Sequence, residues 1–526
     1  MIDVPKWLEN AIFYEIYPQS FQGSNGDGIG DINGITSRLN YICELGCNAI
    51  WINPCFDSPF TDGGYDVRDY YKVAPRYGSN EDLRVLFREA HRRGMHVILD
   101  LVPGHTSYDH PWFQKSMQSE ENEFSYRYVW TDSIWHAPTD IAGLCGFLRG
   151  ISDRDGCCGT NYYSTQPALN YGFANIDKPW QNSVDSPSAI ATREELKNVM
   201  RFWLKMGCDG FRVDMAASLV KNDPDSSETI KLWQNFRQFL DEEFPLAAII
   251  SEWGDPAKAL KGGFHMDFLL QFGPSHYNDL FRCEEPYFSR RGKGDVSMFV
   301  NKYKEYKKNI DNNGYMCLPT GNHDMKRLRH YLDDEEMKIA FAFILSMPGV
   351  PFIYYGDEIG MKYLDKIKSV EGGYERTGSR SPMQWDSSTN AGFSSGRPED
   401  LYIMIDPDNT RPTAESSIKN ISSLYNETKR LISLRLKHQA LQSDADIDFI
   451  YASENKYPLI YKRIGKDEEI LIAINPSDTT VSVDLSSVFK NCDTDAFSAI
   501  YFCGEKAYFK GSSISIPPSS ATYFLL

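Results

Sequence analysis

Gly210-Phe211-Arg212-Val213-Asp214 is a short apolar run that ends in an ionisable residue. It follows Glu194–Met206, where hydrophobic residues recur with the 3.6-residue period of an amphipathic helix. The same pairing of run and helix recurs along the chain. The β-rich runs are Ile12–Tyr17, Ala49–Asn53, Val97–Val102, Gly210–Asp214, Ala248–Glu252, Phe268–Gln271, Tyr315–Pro319 and Phe352–Tyr355. Helical stretches between them include Glu81–Arg93, with Leu83, Leu86, Phe87 and Ala90 on one face, then Thr229–Glu243 and Glu335–Leu345. Near-continuous apolar strands alternating with helices mean a parallel sheet covered by helices. Eight such units predict an α/β protein built on a (β/α)8 TIM barrel rather than an open sheet.

Two segments break the alternation and set the expected domain limits. From His105 to about Pro179 the chain is rich in Gly, aromatic and polar residues with little helical period, which predicts an irregular β-rich subdomain inserted after strand 3. After about Leu441 the pattern changes to short alternating strands, among them Leu459–Arg463, Ile470–Asn475, Val481–Leu485 and Thr522–Leu526. Turn residues separate them, as in an antiparallel β-sandwich. The barrel is thus expected over 1–104 and 180–441, the insertion over 105–179 and the C-terminal sandwich over 442–526.

The 526 residues carry 55 Lys+Arg against 72 Asp+Glu, a formal charge of −17. That balance speaks against nucleic acid, which needs clustered cations, and against anionic membrane surfaces. The longest apolar stretch, Ile339–Tyr355, is interrupted by Pro348, Gly349 and Pro351, so it reads as a core helix running into a buried strand rather than a membrane span. Met1–Asn10 has no signal-peptide pattern. The eleven cysteines are scattered without zinc spacing, the densest group being Cys145, Cys157 and Cys158. Free thiols in a reducing cytosol, and a cytoplasmic protein, are the expectation.

Barrel active sites lie at the carboxyl ends of the strands. Here strand 3 leads into Asp100-Leu-Val-Pro-Gly-His105, strand 4 ends in Arg212-Val-Asp214, strand 5 in Ser251-Glu252-Trp253, and strand 7 leads into Gly321-Asn-His323-Asp324. One carboxylate at a strand end is commonly a helix cap or ion-pair partner. Asp214, Glu252 and Asp324 converging from three strands with Arg212, His105 and His323 exceed what capping explains. Two carboxylates flanking a bond are what glycoside hydrolysis requires, one attacking the anomeric carbon and the other protonating the leaving oxygen. Arg212, two residues before Asp214, points to the same face of the strand and favours an ionised nucleophile.

In this order and spacing, the four strand-end motifs resemble those of the α-amylase superfamily, glycoside hydrolase family 13, over roughly residues 11–440. The resemblance implies a retaining mechanism at α-glucosidic bonds, with Asp214 as nucleophile, Glu252 as acid/base and Asp324 as the carboxylate that holds substrate hydroxyls. Arg212, His105 and His323 match the accompanying residues. Gly64-Tyr65-Asp66, Gln166-Pro-Ala-Leu-Asn170 and Arg380-Ser-Pro-Met-Gln-Trp385 resemble the branch of oligo-1,6-glucosidases, α-glucosidases, trehalose synthases and isomaltulose synthases. The branch implies that Asp66 and Arg380, with Tyr65, grip the terminal sugar and close one end of the cleft; the plainer reading of Asp66 and Arg380 is a surface ion pair.

The sequence also departs from the branch. Ala168 stands where an Asp is usual, and Met215 and Ala216 match neither an α-1,4 nor an α-1,6 preference. Gly104 replaces a calcium-ligating Asn of amylases. The segment Ser24-Asn25-Gly26-Asp27-Gly28-Ile29-Gly30-Asp31 resembles the branch's calcium loop, although Gly23 replaces its first Asp. Asn25, Asp27, Asp31 and the Ile29 carbonyl are the candidate ligands of a structural Ca2+, the alternative being a Gly-rich turn. No organic cofactor is implied. The expected partner is a small α-gluco-oligosaccharide, cleaved from the non-reducing end. A glucosyl transferase or isomerase, an endo-acting α-amylase and a non-catalytic binding protein are the rivals; linkage and oligomeric state are left open.

Overall fold

The computed structural model describes residues 4–270, 272–292, 294–311, 313–489 and 494–526. Among the described residues, eight parallel strands close into a barrel in chain order. They are β1 (Phe13–Ile16), β2 (Ala49–Ile52), β3 (His96–Leu101), β4 (Gly210–Val213), β5 (Ala248–Ser251), β6 (Met266–Phe268), β7 (Tyr315–Pro319) and β8 (Val350–Tyr354). Successive residues on a strand face opposite ways, and the core divides accordingly. Phe13, Trp51, Ile98, Ile250, Phe268, Cys317 and Phe352 pack together inside the barrel. Tyr14, Ile50, Val97, Phe211, Ile249 and Ile353 belong to the larger core under the helices. One inward step towards the carboxyl end, the apolar layer gives way to Glu15, Asn53, Asp100 and Arg212, all buried.

The sixth strand is shifted from its expected place at Phe268–Gln271, and Gln271 lies outside the described residues. Its apolar run is masked by Asp267, a fully buried residue whose carboxylate accepts from Ser251 Oγ at 2.7 Å and Trp253 N at 3.0 Å. Burial raises its pKa to about 7.

The insertion holds a helix, Pro111–Ser116, and a two-stranded sheet pairing Gly146–Leu148 with Cys158–Thr160. The next barrel helix, Pro187–Met206, is capped by Ser186. Beyond the barrel, a five-stranded antiparallel sheet packs on a three-stranded one through Ile460, Leu471, Val483, Ile514 and Phe524. Two buried arginines meet at the seam between this unit and the barrel, Arg463 from the C-terminal sheet and Arg435 from the barrel helix Leu424–Lys437. Arg435 donates to the carbonyls of Leu345, Met347 and Gly349, and Arg463 to those of Ser346, Leu441 and Gln442. Three of these carbonyls, 345–347, are at the C-terminus of the helix Asp334–Ser346, where a cation is favoured by the helix dipole. No described helix is long and apolar enough to cross a membrane. The described cysteines are free thiols; Cys145 is exposed, and Cys157 and Cys158 are buried.

At the opposite end of the barrel, His91 Nε2 and His96 Nδ1 lie 2.7 and 3.1 Å from the two oxygens of Asp209. The hydrogen bond to Asp209 raises the His91 pKa. Asp209 is lowered overall, burial opposing and the two histidines and the Val97 N–H prevailing. A raised His91 pKa stabilises the fold at low pH and is lost as pH rises through its folded value, whereas the lowered Asp209 contribution is lost as pH falls. The pair is therefore worth most between about pH 4 and pH 6.5. His91 is substantially exposed, so the contribution stays under about 1 kcal/mol. Asp209→Asn should lower Tm more at about pH 5.5 than at about pH 8.5; an equal loss at both would refute the linkage.

Candidate active site

The polar layer inside the barrel is organised by one guanidinium. The strand register places Asp100 beside Arg212, and Arg212 Nη1 lies 2.7 Å from Asp100 Oδ1 and 3.1 Å from Asp214 Oδ1. Its Nη2 lies 2.8 Å from Glu252 Oε2. Residues 212 and 214 meet because they sit two apart, and Glu252 because it follows the neighbouring strand. One cation serving three carboxylates leaves an excess of negative charge in a buried place. Burial raises the Asp214 pKa well above the ordinary range; Arg212 opposes this, and Glu252 and Asp100 add to it. Asp100 is pushed up to about 6, again by burial with Arg212 opposing.

Beyond Asp214 the backbone turns sharply. Met215 has φ 45° and ψ 43°, a left-handed conformation costly for a side chain of this kind. Its N–H donates to Glu252 Oε2 at 3.1 Å, so the strained turn points a backbone donor at the second carboxylate.

Asp324 is treated in the opposite way. Arg376 Nη1 and Arg380 Nη2 approach its Oδ1 at 3.0 and 2.9 Å. Burial acts to raise its pKa, but His323, Arg376 and Arg380 prevail, and the net shift is well downward. His323 itself is pushed down to about 3, chiefly by burial, and His105 to about 4 for the same reason. Both imidazoles are neutral at physiological pH.

These groups face a cavity of about 420 Å³ at the carboxyl ends of the strands. Asp214, Glu252, Asp324, Tyr65 and His105 line it, together with Asp62, Tyr163, Gln166 and Arg376 at one side and Met215, Trp253 and Phe272 at the other. Arg212 and His323 lie buried behind the lining. Asp62, Arg376, Tyr163 and Gln166 form one bonded set. Arg376 Nη2 lies 2.9 Å from Asp62 Oδ1 and 3.2 Å from Tyr163 OH, and Gln166 Nε2 donates to Asp62 Oδ2 at 2.8 Å.

The expected pairing of Asp66 with Arg380 is corrected by this geometry. Asp66 is fully buried and accepts from Ser58 Oγ, from the Thr61 N–H and hydroxyl, and from Asp62 N, so its carboxylate closes the loop that carries Asp62. Arg380 donates to the His323 carbonyl at 2.9 Å and to Tyr17 OH at 3.1 Å, and supports Asp324 from behind. The pair that reaches the cavity is Asp62 with Arg376. Each stands four residues before the residue expected, and Asp62 was visible as a second acid in Thr61-Asp62-Gly63-Gly64-Tyr65-Asp66.

In the loop expected to hold Ca2+, the candidate ligands bond within the loop. Asp31 spends one oxygen on Ser24 N and Oγ and the other on Gly34 N, capping the helix Ile32–Ser37. Asp27 Oδ1 accepts from Ile29 N, and Asn25 Oδ1 from Asp27 N. A Cβ at Gly23 would stand 2.7 Å from the Ile29 carbonyl oxygen, so the loop has closed over the place of the missing acid. Among the described residues no group of three or more His, Cys, Asp or Glu is placed to hold a metal.

The sequence profile of the α-amylase catalytic domain matches residues 15–444. The chain belongs to this family. Among its relatives is the glucan 1,6-α-glucosidase of Streptococcus pneumoniae, 29% identical over 92% of this chain and 94% of the relative. The trehalose synthase/amylase TreS of Mycolicibacterium smegmatis is 32% identical over 82% of this chain and 77% of its own. Among solved structures, the trehalulose synthase MutB of Pseudomonas mesoacidophila superposes with a TM-score of 0.80 at 25% identity, covering 99% of both chains. The α-amylase family assignment agrees with the closed barrel and with antiparallel sheets at its C-terminal end.

Proposed function

We propose that this α-amylase-family protein is an exo-acting, retaining α-glucosidase of short α-gluco-oligosaccharides. Asp214 attacks the anomeric carbon as Glu252 gives its proton to the departing glycosidic oxygen. The resulting glucosyl ester is resolved by water, which Glu252 deprotonates in turn. Asp324, held ionised by its two arginines, accepts hydrogen bonds from the sugar hydroxyls. Retention requires carboxyl groups about 5–5.5 Å apart, and one guanidinium holding both Asp214 and Glu252 supports that spacing.

The observation that carries the exo reading is the Arg376 bridge. It joins Asp62 and Asp324 with Tyr163 across one side of the cavity, where a longer glucan would have to pass. Transfer of the glucosyl group to a sugar acceptor is a second reading, favoured by the synthases among the relatives. Buried thiols accord with a reducing, cytoplasmic location.

A time course of products from maltose, isomaltose, panose, sucrose, trehalose and starch tests the proposal, with the anomer of the first glucose recorded. Rapid release of α-glucose from short substrates with starch almost untouched is expected. New disaccharides without net glucose would favour transfer, and long maltodextrins from starch would overturn the exo reading. Asp62→Ala should lower kcat/KM on disaccharides by roughly 10–100-fold, the loss of a buried charged contact. Asp66→Asn should act instead through loop stability; the reverse pattern would restore Asp66 as the gripping residue.

A further inference from the structure

Glu15 lies in the polar layer of the barrel and is fully buried. Its Oε1 stands 2.9 Å from His323 Nδ1, and among the described residues its Oε2 meets the geometric criteria for no hydrogen bond. From His323 a chain of short contacts leads to the Arg212 cluster. His323 Nε2 is 2.7 Å from Tyr65 OH, and Tyr65 OH is 3.0 Å from Asp100 Oδ2. Asp100 then pairs with Arg212.

A neutral imidazole has one donor and one acceptor, and a phenol has one hydrogen, so the chain runs in one of two directions. In one, a proton on Asp100 donates to Tyr65, Tyr65 donates to Nε2, and Nδ1–H donates to an ionised Glu15. In the other, a proton on Glu15 donates to Nδ1, Nε2–H donates to Tyr65, and Tyr65 donates to an ionised Asp100. The surroundings separate the two. Asp100 has the Arg212 guanidinium at 2.7 Å and Trp51 Nε1 at 3.1 Å, so it is the end suited to negative charge. Among the described residues Glu15 is paired with no Arg or Lys, only with the neutral His323.

We propose that Glu15 is a proton-holding positioning residue, a neutral carboxylic acid that donates to His323 Nδ1 and sets the direction of every hydrogen bond from His323 through Tyr65 to Asp100. Burial raises the Glu15 pKa well above the ordinary carboxylate value and Asp100 adds to the shift, while hydrogen bonds from Asn53 and His323 and the charge of Arg212 oppose it; Tyr354 on the adjoining strand is a further titratable neighbour. The arrangement orients the hydroxyl of Tyr65 away from the cavity and leaves its oxygen fully engaged. It also leaves Asp100 charged to hold Arg212 against Asp214 and Glu252. The consequence for turnover rests on the function proposed above, while the protonation of Glu15 does not.

The test is made on the full chain. Infrared difference spectra of wild type and Glu15→Gln at neutral pH should show the loss of one protonated-carboxyl C=O band. In ¹⁵N-histidine-labelled protein, with His323→Gln identifying the resonances, His323 should carry its proton on Nε2. A proton on Nδ1, or no lost carboxyl band, would overturn the proposal. Glu15→Gln, whose amide N–H replaces the O–H donor, should keep kcat within about threefold. Glu15→Met, with no donor, should lose roughly 10–100-fold in kcat. Wild-type kcat in a folded Glu15→Met protein would remove the positioning role. Wild-type protein without any action on α-glucosides would sink the function proposed for the cavity, while the spectra would still decide the protonation of Glu15.

Discussion

Asp214→Asn is expected to remove turnover by about 10⁴-fold or more, because the amide cannot form the glucosyl ester. The same substitution should leave Tm unchanged or raise it. In the native site, burial and the neighbouring Glu252 and Asp100 all disfavour a charge on Asp214, and only Arg212 favours it. An uncharged amide of the same shape relieves that conflict while Arg212 keeps Asp100 and Glu252. Thermal unfolding beside single-turnover measurements of glucose release checks both halves. A normal rate in the variant would refute the nucleophile, and a large fall in Tm would show that the carboxylate is structural. The wild-type site is thus expected to trade stability for a reactive group held among like charges.

Glu252→Gln should lose about 10²–10⁴-fold on disaccharides, whose departing oxygen needs a proton. The loss should be far smaller on aryl glucosides with acidic phenols, which leave without one. Accumulation of the glucosyl-enzyme is expected with those substrates, since the introduced amide cannot deprotonate water for the second step. Azide, a nucleophile that needs no base, should restore product formation. Equal losses on both substrate types would count against the acid role.

The barrel was legible because its strands are short apolar runs with helices of clear period between them, and the strand-end motifs placed Arg212, Asp214, Glu252, His323 and Asp324 together. What escaped the sequence was polar burial. Asp267 interrupts the sixth strand and hid its position, since a carboxylate inside a strand looks like a strand end until its partners Ser251 and Trp253 are seen. Asp62 and Asp66 are chemically alike and four residues apart; only the loop geometry shows which one is used up by backbone donors. Arg376 and Arg380, which flank Asp324, pose the same problem. Glu15 gave no signal beyond an acid in an apolar run. At 23–31 the sequence left a cation loop and a Gly-rich turn open, because ligand-like spacing also suits a turn whose side chains bond its own backbone.

The seam between the barrel and the C-terminal sheets bears on how such a chain can be rearranged. The helix Asp334–Ser346 is buried along its whole length from Glu336 onward, so it has no face prepared for water. Arg463, which reaches its last carbonyl at Ser346, is contributed by the C-terminal sheet. A gene shortened after residue 441 would encode a barrel whose helix Asp334–Ser346 loses the cover of the C-terminal sheet and the Arg463 half of its arginine clasp. Exchange of C-terminal units between homologues is therefore expected to work best where the incoming strand supplies a guanidinium in register with that helix end.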